Sequence, residues 1–276
     1  MNWLITGVGS GLGRALAQAA LARGDAVAGT VRSAADGTAF EARAPAAATA
    51  FILDLADEAA VAAVAREAQD ALGGVDVLVN NAGYGLVGAI EEASPDEIRA
   101  QFEVNVFGPL ALIRAVLPAM RARRAGHIVN ITSVSGVATW AGTGVYCASK
   151  FALEGAALTL ADEVAPFGIK VTNIEPGGMR TDYAGRSLRH AARTIEDYAS
   201  VAHAARRILA DHSGHEPGDP EKVAAAILKV VDAENPPRQL LLGADAVLYA
   251  TRHMARVQAE LGAWAPVSLS TGFDEG

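Results

Sequence analysis

Tyr146 and Lys150 stand four residues apart in Tyr-Cys-Ala-Ser-Lys. On a helix that spacing puts both side chains on one face, one turn apart. A phenol with an ordinary pKa of ~10 is a poor base at neutral pH. A neighbouring ammonium favours its phenolate, which is the physical reason for pairing the two. Ser133 lies thirteen residues before Tyr146, just after an apolar run at 127–131. Its hydroxyl suits a carbonyl or alcohol oxygen, which it would orient while stabilising charge that develops there. In isolation a Tyr-x-x-x-Lys pair reads as a surface helix pair, so these residues need a setting that converges on them.

That setting begins at the N-terminus. A short apolar run at 3–5 leads straight into Thr6-Gly7-Val8-Gly9-Ser10-Gly11-Leu12-Gly13, and an amphipathic helix follows. Glycine permits positive φ and lets backbone N–H groups approach a ligand closely. The helix start adds unpaired donors and a positive dipole end, a ready site for a pyrophosphate. A mere tight turn is the plain alternative, and the flanking strand and helix argue against it. The spacing is T-G-x-x-x-G-x-G rather than the G-x-G-x-x-G of many dehydrogenases. By itself this loop points to a dinucleotide or a related phosphate.

The elements that must position these groups are legible as periodicity. Apolar runs at 3–5, 26–31, 50–53, 75–79, 127–131, 169–174 and 239–242 are rich in Val, Ile and Leu and do not alternate with polar residues. Strands buried on both faces, as in a parallel sheet, have this composition. Between them lie Ala-rich helical stretches at about 12–23, 57–72, 95–122, 144–165, 219–233 and 244–261. Ser94-Pro95-Asp96-Glu97 and Asp219-Pro220-Glu221 mark helix starts, with a capping side chain followed by proline in the first turn. The expected fold class is α/β: a single Rossmann-type, doubly wound, seven-stranded parallel sheet with helices on both faces. One domain is expected over 1–262 and a C-terminal tail over 263–276. Residues 178–218 break the rhythm, are polar and hold four of the six histidines. An insertion of that length suits a substrate lid.

Composition narrows the function. Hydrophobic residues make up 51% of the 276-residue chain, enough for a large core, and aromatics only 5%, which suits close packing of helices on a sheet. A net charge of −8 argues against a nucleic-acid surface, so a phosphate-bearing ligand needs a local basic or backbone-amide site. Cys147 is the one cysteine, so no intramolecular disulfide is possible and a reducing compartment fits best. No uninterrupted apolar run reaches ~18 residues, and an apolar strand opens the chain where a leader would stand. No membrane span is expected, and the cytoplasm is the expected location. His212 and His215 form an H-x-x-H in a polar loop and are read as solvated, with no metal site expected. Arg121, Arg123 and Arg124 sit where cations favour a helix C-terminus, and Cys147 reads as a packing residue.

The motifs fall in an order and spacing that resemble the short-chain dehydrogenases/reductases. Thr6 to Gly13 matches that family's glycine loop, Asn80-Asn81-Ala82-Gly83 its N-N-A-G motif, and Ser133, Tyr146 and Lys150 its catalytic set, over nearly the whole chain from Thr6 to about Tyr249. The phrasing Asn-Asn-Ala-Gly-Tyr-Gly-Leu-Val-Gly is similar to a 17β-hydroxysteroid-dehydrogenase-like branch, a label that covers many ketones and alcohols. The resemblance implies an oxidoreductase exchanging hydride between NADP(H) and a carbonyl/secondary alcohol pair. It makes Tyr146 the general acid/base, Lys150 the partner that binds the nicotinamide ribose and lowers the tyrosine pKa, and Ser133 the holder of the substrate oxygen. Asn105, in Val-Asn-Val-Phe-Gly, would kink a helix and hold a water linking Lys150 to solvent; the alternative is that it only satisfies helix backbone.

The cofactor set implied by the resemblance is Gly7, Gly9, Ser10, Gly11, Leu12, Gly13, Arg32, Asp54, Leu55, Asn81, Ala82, Gly83, Tyr146, Lys150, Pro176, Gly177 and Thr181. Asp54 and Leu55 flank the adenine, Asn81 and Ala82 support the adenosine side, and Pro176, Gly177, Thr181 and the backbone of Ile174 border the nicotinamide. Cofactor choice is read at the end of the second strand, Thr30-Val31-Arg32-Ser33. An acid there would accept from the ribose hydroxyls of NAD. Val31 stands in its place and Arg32 follows, and a guanidinium suits a 2′-phosphate. NADP is therefore favoured over NAD, although Ser10 occupies a position where some NADP-preferring relatives carry a second base. A homodimer or homotetramer built on helices near 100–122 and 144–165 is expected. The alternatives are a non-catalytic NADP(H)-binding redox sensor, against which both Tyr146 and Lys150 speak, and an epimerase or dehydratase, for which the C-terminal region is too short. Tyr183, Arg186, His190, Arg193 and Tyr198 line the expected lid without naming a substrate.

Overall fold

Trp3 and Ile5 face one side of the first strand and Leu4 the other, and all three are fully buried. That double burial repeats along the sheet, and it explains why the strands read as continuous apolar runs. The computed structural model describes residues 1–181 and 187–273, His212 by its backbone alone; Tyr183 and Arg186 lie outside the described residues.

The main sheet is built from β1 (Asn2–Thr6), β2 (Ala26–Val31), β3 (Ala48–Ile52), β4 (Val77–Asn80), β6 (Gly126–Ile131), β7 (Ile169–Pro176) and β9 (Gln239–Leu242). Its seven strands run parallel in the order β3-β2-β1-β4-β6-β7-β9. Order reverses between β1 and β4, and in open α/β sheets ligands bind at the strand ends beside such a switch point. On one face α1 (Gly11–Ala22) and α8 (Pro220–Asp232) cover Trp3, Ile5, Val79 and Val129. On the other, α3 (Glu58–Leu72), α5 (Gly108–Arg123) and α6 (Gly144–Val164) cover Leu4, Leu78 and Ile128. The helical run Pro95–Arg123 is long and apolar enough to cross a bilayer, yet Leu112, Ile113, Val116 and Met120 on it belong to this second core layer.

The expected seven-stranded parallel sheet is present, with boundaries moved by one to two residues. Two helices were not anticipated. α2 (Ala34–Glu41) follows Ser33, whose hydroxyl accepts from the Asp36 amide; the segment has no amphipathic pattern, so no helix was expected there. α7 (Ala202–His212) lies inside the polar 178–218 segment. β5 (Gly85–Val87) pairs in parallel with β8 (Leu188–His190), tying that segment to the body. The last helix, α9 (Ala244–Leu269), runs past 262. The expected start of a tail at 263 therefore falls within a helix, because Ala259 to Ala265 contains no strong breaker beyond Gly262.

A polar ladder crosses the middle of this apolar sheet. Asn80, Asn130 and Asn173 are in register on β4, β6 and β7. Asn80 Nδ2 donates to Asn130 Oδ1 at 2.9 Å, and Asn130 Nδ2 donates to Asn173 Oδ1 at 3.1 Å. Asn173 Nδ2 then donates to Glu154 Oε1 on α6 at 2.6 Å. Gln239 Nε2 bridges Glu154 at 3.1 Å and Glu175 at 2.9 Å. Burial, and then the charge of Glu154, push the Glu175 carboxyl above its ordinary range. Buried polar groups in such a chain are costly only when a partner is lost. Asn130→Ala strips both neighbours at once and should destabilise the fold by about 1–3 kcal/mol per orphaned group. Urea unfolding measures this, and a loss below about 0.5 kcal/mol, typical of a neutral surface change, would show that the ladder is not continuous.

Candidate active site

The glycine loop leaves β1 at the switch point. Gly7 and Gly11 adopt φ of +76° and +55°, a region that glycine enters without strain. The amides of Gly7 and Val8 donate to the Thr30 carbonyl, each at 3.0 Å, which turns the chain towards α1. Ser10 is the N-cap residue but its side chain makes no capping bond. The first-turn amides of α1, Gly11 to Gly13, have no intrahelical acceptor and point out of the helix start. A side chain at Gly13 would run into the Gly7 carbonyl and the Asn81 amide, whereas a Cβ on Gly9 or Gly11 would meet only ordinary contacts, with Asp36 and Thr181.

The loop is held from below by the second motif. Thr6 Oγ1 accepts from the amides of Asn81 and Ala82, both at 2.9 Å, and Asn81 Nδ2 donates to the Thr6 carbonyl at 2.7 Å. Asn81 and Ala82 thus fix the position of the loop itself. A side chain at Gly7 would be crowded on this side, with its Cβ 3.1 Å from that of Ala82, and strained at φ +76°.

Lys150 is buried within α6. Its Nζ donates to the Ile131 carbonyl at 2.8 Å, at the C-terminal end of β6, and lies 5.9 Å from the centre of the Tyr146 ring. Burial pushes its pKa down to about 8, with the Glu154 carboxylate acting in the opposite sense. Ser133 stands two residues beyond Ile131, half-buried like Tyr146, and its Oγ accepts from the Ser135 amide at 3.0 Å. Tyr146, Lys150 and Ser133 are therefore set together by β6 and α6.

Asn105 sits in a π-helical turn, Glu103–Phe107, between α4 (Pro95–Phe102) and α5. The wide turn carries a fully buried amide side chain across to the site. Asn105 Nδ2 donates to the Tyr84 carbonyl at 3.0 Å and to Ser149 Oγ at 3.1 Å, and Oδ1 accepts from the Tyr84 amide at 3.2 Å. Ser149 Oγ donates in turn to the Tyr146 carbonyl at 2.7 Å. Gly83 separates Asn105 from Lys150: a Cβ there would lie 3.1 Å from Asn105 Oδ1 and 3.7 Å from Lys150 Nζ. Asn105 satisfies backbone groups and also faces the lysine across this gap, so the two readings of it are compatible.

The remaining expected residues fall around the same strand ends. Arg32 is exposed at the end of β2. Asp54 is exposed beyond β3, with Oδ1 accepting from the Ala56 amide at 3.0 Å. The Leu55 side chain is buried in the core beside Gly108, so it faces the core rather than solvent. The Ile174 carbonyl already accepts from the Thr132 amide and hydroxyl, at 2.9 and 3.0 Å. Pro176 ends β7, and Thr181 lies against the start of α1, 3.5 Å from a Cβ placed on Gly11.

Other contributors gave little signal in the sequence. Asp36 borders Gly9, and its Oδ2 accepts from Ser33 Oγ at 2.7 Å, so an acid shares the rim with Arg32. Asp245, at the start of α9, accepts from the Gly178 amide at 2.8 Å and fills the space where a Gly177 side chain would stand. The segment after β8 is anchored by buried Glu92, which accepts from the amides of Ala89 and Ile195 and from His203 Nε2, each at 2.7 Å. Burial acts to raise the Glu92 carboxyl, yet bonds from Ile195, His203 and Ala89 hold it down at about 2. Asp36 meets Ser33 locally, at a helix start that the sequence pattern did not reveal, whereas Asp245 and Glu92 are joined to their distant partners only by the tertiary fold. Cys147 is buried beside Thr143 as a packing residue. The guanidinium of Arg123 reaches Asp76 and the Val75 carbonyl in a structural role.

The chain is similar to known proteins. The family profile described as short chain dehydrogenase matches residues 2–192. Oxidoreductase BOA17 of Botryotinia fuckeliana is 38% identical over 275 residues, covering 98% of each chain. The crystal structure of a short-chain dehydrogenase from Streptomyces avermitilis superposes with a TM-score of 0.93 at 45% identity, covering 98% of each chain. A metagenomic short-chain oxidoreductase in complex with NADP is 28% identical with a TM-score of 0.69, over 87% of this chain and 95% of that one. A Burkholderia phymatum relative in complex with NAD is 25% identical with a TM-score of 0.83, over 94% of each.

The closure of the loop on Asn81 is open to test. Gly13→Ala forces a methyl group into the Gly7 carbonyl and the Asn81 amide and should cost about 1–3 kcal/mol in urea unfolding. A variant as stable as the parent would show that the loop does not pack against the second motif in this way.

Proposed function

The chain belongs to the short chain dehydrogenase family, and from that premise we propose that it is an NADP(H)-dependent oxidoreductase interconverting a carbonyl compound and its secondary alcohol, with Tyr146 transferring the proton. The observation that carries this reading is the buried Lys150 ammonium beside the Tyr146 ring, anchored on the Ile131 carbonyl. A buried cation without a carboxylate in direct contact is expensive, and its position next to a phenol gives it a purpose.

The residues present fit a dinucleotide. Gly9 and Gly11 leave a cradle, the first-turn amides of α1 and its positive end would hold the pyrophosphate, and Arg32 would hold the 2′-phosphate. Asp54, the Leu55 backbone and the turn at Asn81 to Gly83 would border the adenosine side. Pro176, Gly177 and Thr181 would border the carboxamide. When bound, NADPH supplies the hydride. Ser133 then orients the substrate oxygen, Tyr146 delivers a proton to it, and Lys150 stabilises the phenolate left behind. Asn105, across the gap at Gly83, lies on a route by which a proton could be returned towards Lys150. In oxidation the same groups act in reverse.

Related structures hold NADP in one case and NAD in another, so the cofactor choice rests on this chain's own rim. Arg32 and the absence of an acid at Val31 favour NADP; Asp36, above Gly9, tempers that preference by repelling a 2′-phosphate. Residues 178–218 form the substrate lid in this reading, fastened through β8 and Glu92. Self-association through α5 and α6, with exposed Phe107 just before α5 and exposed Phe151 on α6, belongs to the same reading.

A panel of ketones, aldehydes and quinones assayed by NADPH oxidation identifies a substrate. With it, Tyr146→Phe should bind NADPH as the parent does and lose about 10²–10⁴-fold in turnover. Survival of activity would remove Tyr146 from the proton transfer. Arg32→Asp should weaken NADPH binding by about tenfold or more, the worth of one charge-assisted contact, and raise the preference for NADH. Unchanged NADPH affinity in a fluorescence titration would remove Arg32 from the phosphate site.

A further inference from the structure

Lys150 is buried, and its Nζ makes one hydrogen bond among the described residues, to the Ile131 carbonyl at 2.8 Å. A buried ammonium needs a counter-charge as well as a hydrogen bond. Glu154, four residues on, lies on the same side of α6 and is also buried. The sheet beneath keeps the two side by side. Lys150 stands on Ile131, which pairs with Ile174, and Glu154 is held by Asn173, the residue before it.

A second acid shares the place. Glu175, two residues after Asn173 on β7, faces the same side of the sheet and is buried. Gln239 Nε2, from β9, donates to both carboxyls, at 3.1 Å to Glu154 Oε1 and at 2.9 Å to Glu175 Oε1. Two buried acids that share one amide group do not both ionise. Asn173 decides between them, because its Nδ2 gives Glu154 Oε1 a second donor at 2.6 Å. Donors favour the charged form, so the negative charge rests on Glu154 and the proton on Glu175. Burial and the Glu154 charge accordingly raise the Glu175 carboxyl to about 8.

The titratable groups facing Glu154 are therefore Lys150 on its own helix and Glu175 on β7. From β9 comes the neutral Gln239, and from the turn Val134–Gly136 only the bare Gly136, where a Cβ would lie 3.5 Å from Glu154 Oε2. That oxygen is buried and accepts no hydrogen bond among the described residues. One ammonium, one carboxylate and one neutral acid sum to zero, the cheapest charge state for a buried cluster.

We propose that Glu154 is a positioning residue for the reaction: as the ionised member of an acid pair whose other member, Glu175, keeps its proton, it supplies the counter-charge that holds Lys150 as an ammonium beside Tyr146. This rests on the role given to Lys150 above, since only the charged lysine stabilises a phenolate. The ladder Asn80–Asn130–Asn173 then does more than brace the sheet, because its last amide selects which acid is charged.

The charge of Lys150 can be read without a substrate. The chain has four lysines, Lys150, Lys170, Lys222 and Lys229, so isotope-labelled lysine gives a resolvable NMR titration, with Lys150→Arg identifying the signal. Glu154→Gln should lower the Lys150 pKa by about one unit or more. Glu175→Gln, which copies the shape of the protonated acid, should leave it unchanged. An unmoved Lys150 in folded Glu154→Gln, or an equal shift in both variants, overturns the proposal. Should Glu154→Gln fail to fold, Lys150→Met combined with Glu154→Gln removes both charges and should fold. Failure of that double variant as well would leave Glu154 a packing residue and overturn the proposal. With a substrate in hand, the alkaline fall of kcat should move to lower pH in Glu154→Gln and stay in place in Glu175→Gln. A parent without turnover counts against the reaction, and the lysine titration still decides the role of Glu154.

Discussion

A lysine ammonium placed among strand ends and helix backbone is expensive to keep charged, and much of the site is arranged around Lys150. Burial lowers its pKa to about 8, and the Glu154 carboxylate one turn along α6 works against that fall. One backbone carbonyl, that of Ile131, accepts a hydrogen bond from it at 2.8 Å. That carbonyl is available because β6 ends there and the chain turns away into Ser133. The same strand end therefore fixes the lysine and supplies the serine. Gly83 must lack a side chain for Nζ to face Asn105, and the π turn must widen α4–α5 for Asn105 to arrive. Both of these irregularities, the bare turn at Gly83 and the π turn at Asn105, are next to this one cation.

A second constraint joins the site to the switch point of the sheet. Thr6, at the end of β1, uses its hydroxyl to hold the turn after β4, and Asn81 from that turn holds the Thr6 carbonyl. The phosphate-type loop and the Gly83 turn cannot move independently. The relative position of the α1 start and of Lys150 is thus set by short hydrogen bonds between the ends of adjacent parallel strands. The asparagine ladder continues this rigidity across β4, β6 and β7 to Glu154 behind Lys150.

Much of this was legible in the residues. Doubly buried strands have a distinctive composition, so the sheet was readable from Val, Ile and Leu runs, and the glycine loop and Tyr146–Lys150 pair are local in sequence. What was not legible is tertiary. Asp36 and Asp245 look like ordinary helix-start acids until the fold brings them beside Gly9 and Gly177. α7 was hidden because its segment is polar, and α2 because eight residues with no apolar face carry no helical period. Leu55 looked like a ligand-facing residue beside Asp54, yet the turn after β3 sends its side chain into the core under Gly108. The extension of α9 was missed because Gly262 and Pro266 weaken the helical pattern without ending it.

The central claim is that one cation, one phenol and one glycine loop form a single dinucleotide-dependent site. A crystal structure of the chain with NADP⁺ tests it most directly. The account predicts the pyrophosphate against the amides from Gly9 to Gly13 and the nicotinamide ribose within about 3 Å of Lys150 Nζ and the Tyr146 hydroxyl. It also predicts the 2′-phosphate on Arg32. A nicotinamide directed away from Tyr146, with Lys150 making no contact to the bound cofactor, would contradict it.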